Sequence, residues 1–156
     1  MIVAPPPATL ASPTPSRQNT PFMRKKIIAA NWKMNMTSAE AASFMEDLEL
    51  ELKNFDGAEV VIIPPFTALP RVSEILADTA GISLGAQNMW HEASGAFTGE
   101  VSAAMLREFF TRYVVLGHSE RRTIFGETDE LVNKKVQAAH AASLRPILCV
   151  GETLEE

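Results

Sequence analysis

The residues best suited to chemistry in this chain form the run Gly-His-Ser-Glu-Arg-Arg at residues 117–122. The run follows residues 113–116, an apolar stretch typical of a buried strand, and leads into a helical turn. A histidine between a strand and a helix start lies beside unpaired backbone N–H groups and the positive end of the helix dipole, which favour a neutral imidazole. A neutral imidazole can polarise a carbonyl group. His118 is therefore a candidate electrophile, with a structural histidine in the core as the alternative.

Two polar side chains end the first predicted strand. Asn31 and Lys33 follow four apolar residues and are two apart on an extended segment, so they project to the same face. A lysine in such a place attracts an anionic substrate such as a phosphate ester. Taken alone, the pair fits a solvated strand end better than a binding site. Glu120 is either an ordinary acid in the first turn of its helix or the partner of Lys33.

The other reactive side chains have structural interpretations. Arg121 and Arg122 are expected to pair with Glu127 or Asp129. Cys149 lies in an apolar strand, where core packing is favoured over a reactive thiol. No spacing of His, Cys, Asp and Glu in the sequence suggests a metal site, and the sequence has no serine nucleophile elbow or P-loop.

Strand and helix patterns alternate from residue 23 onward. The predicted strands are residues 27–32, 59–63, 82–87, 113–116 and 146–150. The predicted helices are residues 38–55, a segment through Leu69, Val72 and Leu76, residues 101–110, and residues 129–144 with Asp129 as the cap. Short Val- and Ile-rich strands separated by helices predict an α/β fold with a parallel sheet and right-handed crossovers.

Polar side chains cluster where the predicted strands end. They are Asn31 and Lys33, then Gln87 and Asn88, then His118, and finally Glu152. The carboxyl ends of strands are where barrel enzymes build their active sites. No Gly-x-Gly-x-x-Gly follows the first strand, which disfavours a dinucleotide-binding fold.

Composition narrows the classes of partner. The chain has 156 residues, enough for one domain, and a net charge of −5, which argues against nucleic acid. No apolar run reaches the ~18 residues of a membrane span, so no membrane association is expected. The single cysteine, Cys149, cannot form an internal disulfide, and a reducing cytoplasmic compartment is expected.

Residues 1–22 differ from the rest of the chain. They hold six prolines among Ala, Ser and Thr and have no apolar periodicity. Such a segment cannot bury enough surface to offset its ordering entropy. Three interpretations remain: sequence upstream of a true start at Met23, a disordered tail, or a targeting peptide. We expect the folded part to be residues 23–156.

Six stretches in register resemble the triosephosphate isomerase family. They are Ala-Asn-Trp-Lys-Met-Asn at residues 30–35, Gly-Ala-Gln-Asn-Met at 85–89, Gly-Ala-Phe-Thr-Gly-Glu at 95–100, Leu-Gly-His-Ser-Glu-Arg-Arg at 116–122, Phe-Gly-Glu at 125–127 and Pro-Ile-Leu-Cys-Val-Gly-Glu-Thr at 146–153. Their order and spacing also fit, from about Met23 to the last residue. Together, the six stretches favour functional roles for Asn31, Lys33 and His118 over the structural alternatives given above.

The resemblance implies a (β/α)8 TIM barrel, here incomplete, that interconverts dihydroxyacetone phosphate and glyceraldehyde 3-phosphate in glycolysis and gluconeogenesis without a cofactor. It implies that Lys33 and Asn31 bind the phosphorylated triose and that Glu120 orients Lys33. His118 would be the neutral electrophile that moves protons between the oxygens of an enediolate. This family is itself the standard example of such a histidine, so that role comes with the resemblance.

The resemblance also implies a homodimer. Thr98, at the tip of the long loop at residues 88–99, is expected to enter the neighbouring subunit, and Gln87 and Asn88 are expected at the interface. In a monomer this loop would leave Phe97 and Met89 poorly covered, which also favours dimerisation.

We expect these residues to be the N-terminal portion of a longer isomerase. A barrel of this kind needs ~250 residues, and residues 23–156 supply about five βα units, whose first and last strands would be unpaired, aggregation-prone edges. The family's general base is a glutamate after strand six, so the 156 residues alone are expected to be inactive, since losing a base costs ~10²–10⁴-fold. The main alternative is a non-catalytic half-barrel that binds a sugar phosphate or a complementing chain. A weaker one is another barrel enzyme acting on phosphorylated sugars.

Overall fold

The computed structural model describes residues 25–77 and 79–152, so the predicted extension at residues 1–22 lies outside the described part. Its strands are β1 (Ile27–Asn31), β2 (Glu59–Ile63), β3 (Ile82–Ala86), β4 (Tyr113–Leu116) and β5 (Arg145–Leu148). Its helices are α1 (Ser38–Leu52), α2 (Leu69–Leu76), α3 (Ala103–Glu108), α4 (Ser119–Phe125) and α5 (Asp129–Ala141). A 3₁₀ turn, Phe66–Ala68, precedes α2.

The five strands form one parallel sheet in the order β1-β2-β3-β4-β5. Spatial order equals chain order, so every strand is followed by a crossover to its next neighbour, as in a (β/α) barrel. The predicted fold class is confirmed. Among the described residues β1 and β5 are the edges, as expected, and they expose apolar side chains: Ile27 is 49% and Ile28 54% exposed on β1, and Leu148 is 48% exposed on β5.

Alternate residues of the strands enter two different cores. Val60, Ile62, Leu84, Val114 and Leu116 pack with the helices in the main core. Their neighbours Val61, Ile63, Tyr113 and Val115 form a smaller cluster on the other face of the sheet, packed with Ile147 and Cys149. The period of two follows from strand geometry. Each fully buried aliphatic side chain adds about 1.5–3 kcal/mol of transfer free energy.

The cap of α5 differs from the prediction. Thr128, and not Asp129, is the N-cap: its backbone is extended and its Oγ1 accepts a hydrogen bond from the N–H of Leu131 at 3.3 Å. Asp129 is the first helical residue, and its carboxylate instead binds Arg122. A threonine and an aspartate side by side both have cap chemistry, and the backbone conformation at residue 128 decides between them.

Several predicted boundaries are one to three residues too long. The segment at residues 101–110 is helical only over α3, because the carbonyl of Val101 accepts the N–H of Trp90 in the preceding loop and Phe110 takes a positive φ of 55°. The first helix ends at Leu52, and β5 starts at Arg145 and ends at Leu148. The turn expected after His118 is a seven-residue helix, α4, ended by Gly126 at φ 68°. No helix in the described part is long and apolar enough to cross a membrane.

Candidate active site

The predicted polar residues meet at the carboxyl ends of β1, β3 and β4. They border a cavity of about 220 Å³ whose walls include Asn31, Lys33, Gln87, Asn88, His118 and Glu120. The side chains predicted from the strand ends to lie together therefore share one edge of the sheet. Thr98 lies outside this cavity, in the loop after β3, and Glu152 borders a separate opening beside β5.

Lys33 is held by its backbone as well as by its side chain. Its N–H donates to Oδ1 of Asn31 at 3.0 Å, and its carbonyl accepts from Nε2 of Gln87 at 2.7 Å. These two contacts fix the residue at φ 55°, a left-handed conformation that is uncommon for a side chain of this size. Asn31 and Gln87 thus set the direction in which the lysine leaves the strand.

The contact predicted between Lys33 and Glu120 is present. Nζ of Lys33 donates to Oε1 of Glu120 at 2.6 Å, and the two side chains are 52% and 45% exposed. The hydrogen bond from Lys33 lowers the pKa of Glu120 below its ordinary value of 4.5. The half-exposed Lys33 side chain borders the cavity, where an anion can reach it.

His118 is the N-cap of α4, and this fixes its tautomer. Its Nδ1 accepts the N–H of Glu120 at 3.2 Å, so in this arrangement Nδ1 carries no proton and the proton of the neutral ring lies on Nε2. Nδ1 lies 3.6 Å from Oε2 of Glu120. The imidazole is therefore oriented with an N–H donor on the side away from its helix.

The turn that carries His118 depends on Gly117. This glycine has φ 67°, and a Cβ placed on it would lie 2.9 Å from Nη2 of Arg122 and 3.0 Å from Cγ1 of Val132. The same Arg122 donates to the carbonyl of Gly117 at 2.8 Å. A side chain at residue 117 would push the histidine loop off the helices behind it.

A buried ionic cluster supports the helix behind His118. Glu127 accepts hydrogen bonds from Nε of Arg121 and from Nζ of Lys135, which is 0% exposed. Lys135 also donates to Oδ1 of Asn88 at 2.9 Å. Burial raises the pKa of Glu127, but the hydrogen bonds from Lys135 and Arg121 outweigh it and leave the pKa below 4.5.

The sequence argument missed Lys135. Its position was readable, because Val132 and Ala139 lie three residues before and four after it on the buried face of α5. A lysine on such a face needs an acidic partner inside the protein. The pairs expected for Arg121 and Arg122 are confirmed: they bind Glu127 and Asp129, each at 2.6 Å.

The loop after β3 is partly exposed. Thr98 is exposed, and Phe97 is 39% exposed with its ring 5.2 Å from that of Trp90. The expectation that Met89 is poorly covered is wrong: it is 1% exposed, packed in the main core. Of the expected interface residues, Gln87 uses its amide on the carbonyls of Lys33 and Ile63.

Asn88 is buried within the chain, at 4% exposure, and accepts from Lys135. Its place at an interface stays a prediction, as do those of Gln87 and Thr98. Cys149 packs half-buried against the inner cluster, in agreement with a packing role, and burial raises the pKa of its thiol. The described residues bring together no group of three or more His, Cys, Asp or Glu side chains that could hold a metal ion.

Comparison with known proteins identifies the family. The family model described as triosephosphate isomerase matches residues 26–156. The chain belongs to the triosephosphate isomerase family. Among curated relatives, the triosephosphate isomerase of Carboxydothermus hydrogenoformans is 58% identical over 134 residues, which are 86% of this chain and 53% of the relative. That of Symbiobacterium thermophilum is 57% identical, with 86% and 52% covered.

A solved structure of this isomerase family has the same fold. The crystal structure of triosephosphate isomerase from Bartonella henselae superposes with a TM-score of 0.79 at 42% identity, over 85% of this chain and 54% of that one. The chain thus spans about half the length of the isomerases it matches. The five strands and the cavity described above lie within the matched segment.

Proposed function

We propose that this chain supplies the phosphate-binding and electrophilic part of a triosephosphate isomerase, which interconverts dihydroxyacetone phosphate and glyceraldehyde 3-phosphate without a cofactor. The observation that carries the proposal is the joint placement of Lys33 and His118 on one cavity of about 220 Å³. A half-exposed lysine side chain and an imidazole N–H donor suit a small molecule that has both an anionic group and a carbonyl group.

In this proposal, the ammonium group of Lys33 attracts the phosphorylated triose, and Asn31 lies beside it. Glu120 keeps Lys33 oriented through the 2.6 Å hydrogen bond. Nε2–H of His118 donates to the carbonyl oxygen and stabilises the negative charge that develops there when the neighbouring C–H bond breaks. A single preorganised donor of this kind is worth about 10²–10³ in turnover. The same nitrogen then passes the proton between the two enediolate oxygens.

The reaction also needs a base for the C–H proton. Glu120 is the only carboxylate among the described residues around this cavity, and its pairing with Lys33 makes it a weak base. We propose that the base comes from the part of the family fold that this chain does not match, as the resemblance implies. The 156 residues by themselves would then bind substrate without turning it over.

We propose a homodimer, with the exposed Thr98 and the half-covered Phe97 on the surface that meets the second subunit. Gln87 and Asn88 would act behind this surface by fixing the loop. We propose a cytoplasmic location because the single cysteine, Cys149, cannot form a disulfide within the chain, which suits a reducing compartment.

A second candidate function is a non-catalytic half-barrel that pairs with a complementing chain. It is favoured by the exposed apolar residues on the edge strands, Ile27 and Ile28 on β1 and Leu148 on β5. An unpaired strand edge with apolar side chains is a template for pairing with more strands. In this second function, the cavity still binds a sugar phosphate, but the chain does not catalyse its conversion.

One experiment tests the binding site that both candidates share. The full chain is tested for turnover of dihydroxyacetone phosphate and, by calorimetry, for binding of a two-carbon phosphorylated carboxylate that mimics the enediolate. Binding that is lost in Lys33→Met and His118→Gln, but kept in Arg71→Gln on the outside of α2, supports the site. Binding without turnover is expected of the 156 residues in both candidate functions, and turnover would refute the proposal that the base lies outside these residues. Absence of both would refute the proposed function.

A further inference from the structure

Two neighbouring cavities lie at the amino-terminal ends of β3, β4 and β5, on the opposite edge of the sheet from His118. One is about 340 Å³ and has largely apolar walls from the end of α2, from β3 and from the residues after α3. The other is about 470 Å³ and is lined by Arg107, Phe110, Thr111, Arg112, Ser143 and Arg145. Because Phe110 and Arg112 border both, the two cavities form one continuous depression.

The three arginines are each anchored by one nitrogen. Nη1 of Arg107 donates to the carbonyl of Ala142, Nη1 of Arg112 donates to Oγ of Ser83, and Nη1 of Arg145 donates to the hydroxyl of Tyr113. A guanidinium group has five N–H donors. Each side chain is therefore positioned by the protein while most of its donors remain for another acceptor.

Little negative charge offsets these arginines. The described residues lining the arginine cavity include no carboxylate. Among the described residues, Glu59 pairs with one of these arginines: its Oε2 lies 4.0 Å from Nη1 of Arg145, and its Oε1 accepts from Ser83. Three arginines, with no carboxylate among the described lining residues, give the cavity an excess of positive charge in a chain whose net charge is −5. Clustered arginines of this kind suit a phosphate group, which takes paired N–H donors from guanidinium planes.

Phe110 adds an independent observation. Its side chain is 81% exposed, and its backbone has φ 55°, the left-handed region that bulky residues avoid. An exposed aromatic ring on a strained backbone gains nothing for packing, and strain of this type is concentrated at functional sites. The ring stands between the apolar cavity and the arginines, where it can stack on a planar group.

We propose that this depression, formed by Phe110, Arg107, Arg112, Arg145 and the apolar cavity beside them, binds a small aromatic phosphate. The arginines take the phosphate group, and the planar ring stacks on Phe110 and enters the apolar cavity. The site shares no lining residue with the cavity of Lys33 and His118. It therefore stands or falls separately from the isomerase proposal.

The test is titration calorimetry on the full chain with phenyl phosphate, and with inorganic phosphate and phenol as separate probes. We expect phenyl phosphate to bind at least about tenfold more tightly than either fragment, because ring and anion contact different walls. The measurement is repeated in Lys33→Met, which removes the anion site at the other edge of the sheet. Binding unchanged by this variant supports the proposal, and binding lost with it overturns the proposal.

Variants test which residues bind the phosphate group of the ligand and which bind its ring. Arg112→Gln and Arg145→Gln are each expected to weaken phenyl phosphate binding about tenfold, and Arg71→Gln on α2 is the matched control. Phe110→Gly is expected to weaken phenyl phosphate about tenfold and to leave inorganic phosphate unchanged. Circular dichroism verifies that each variant is folded. Wild-type affinity in both arginine variants, or equal loss of phosphate and phenyl phosphate in Phe110→Gly, would overturn the proposal.

Discussion

Lys135 and Glu127 form an ion pair inside the protein, with side chains 0% and 3% exposed. Glu127 also binds Arg121, so the pair joins α5 to α4, and Lys135 also binds Asn88, so it joins α5 to the loop after β3. The pair therefore connects α4, the helix that His118 caps, to the loop proposed for the dimer interface. Removing one partner leaves the other charge buried without compensation.

Replacing Glu127 tests how much the cluster stabilises the fold. Glu127→Gln is expected to lower the free energy of unfolding by about 3 kcal/mol, because the ammonium of Lys135 stays buried opposite a neutral amide. Urea denaturation measures the change, with the exposed Glu46→Gln on α1 as control. The double variant Glu127→Gln with Lys135→Met should recover part of the loss, since the buried cation is then gone. A loss below 0.5 kcal/mol, on the order of a surface pair, would contradict the assignment.

The same carboxylate predicts a pH dependence. Because the pKa of Glu127 is lowered in the folded state, its contribution to stability is complete above about pH 5 and is lost as the pH falls through the folded pKa, below 4.5. The wild-type protein should therefore lose stability on acidification more steeply than Glu127→Gln. Denaturation midpoints between pH 7 and pH 3 give both slopes, and parallel slopes would argue against an ionised Glu127.

Alanine substitutions at Gly117 and Gly126 can distinguish the cost of backbone strain from the cost of steric contact near His118, because both glycines have the same backbone conformation. Gly117 and Gly126 have φ 67° and 68°, but only Gly117 has side chains within reach of a Cβ. Gly126→Ala should cost about 1 kcal/mol, the ordinary penalty of a left-handed residue. Gly117→Ala should cost more, about 2–3 kcal/mol, and should also weaken binding of the enediolate mimic. Equal losses of stability in the two variants would mean that Arg122 and Val132 move away from the added methyl group at little cost.

The order of elements and the shared edge of the candidate site residues were predictable from the sequence, but the buried partners of Lys135 were not. The strands were predictable because a short, continuous run rich in Val and Ile is a local pattern. The burial of Lys135 depends on Glu127 and Asn88, which lie 8 and 47 residues away. Met89 was expected to be poorly covered in a monomer because it belongs to the long loop at residues 88–99, whereas its side chain enters the main core. The cap at Thr128 was decided by backbone angles that two adjacent polar residues cannot specify.

Glu120 can be tested as the residue that positions Lys33. Glu120→Gln keeps the shape of the side chain but removes the charge that holds Nζ at 2.6 Å. The test uses an isomerase in which the proposed base is also present. We expect its kcat/KM to fall about 10–100-fold, mainly through a higher KM, because a displaced ammonium binds the phosphorylated substrate poorly. Glu74→Gln, in the exposed pair with Arg71, is the control. A fall confined to kcat would instead assign Glu120 to proton transfer.

Thr98 tests the proposed dimer. Thr98→Arg adds a long charged side chain at the exposed tip of the loop, and it is expected to raise the dissociation constant of the dimer at least about tenfold. Sedimentation equilibrium measures the constant, and Asn133→Arg, on an exposed position of α5, is the control. Dissociation in the control alone, or in neither variant, would place the interface elsewhere.

Phe110 offers a stability test that is independent of any ligand. Its ring is 81% exposed, so Phe110→Gly loses little burial, while the positive φ of 55° becomes unstrained. Relief of about 1–2 kcal/mol of left-handed strain exceeds the loss of ring contacts and the added entropy of a glycine in the unfolded chain. We therefore expect the free energy of unfolding to rise by roughly 0.5–1 kcal/mol. Ser143→Gly, at φ 59°, serves as the matched control for strain alone. If Phe110→Gly is less stable than wild type while Ser143→Gly is more stable, the ring has a packing role that accounts for its presence without a ligand.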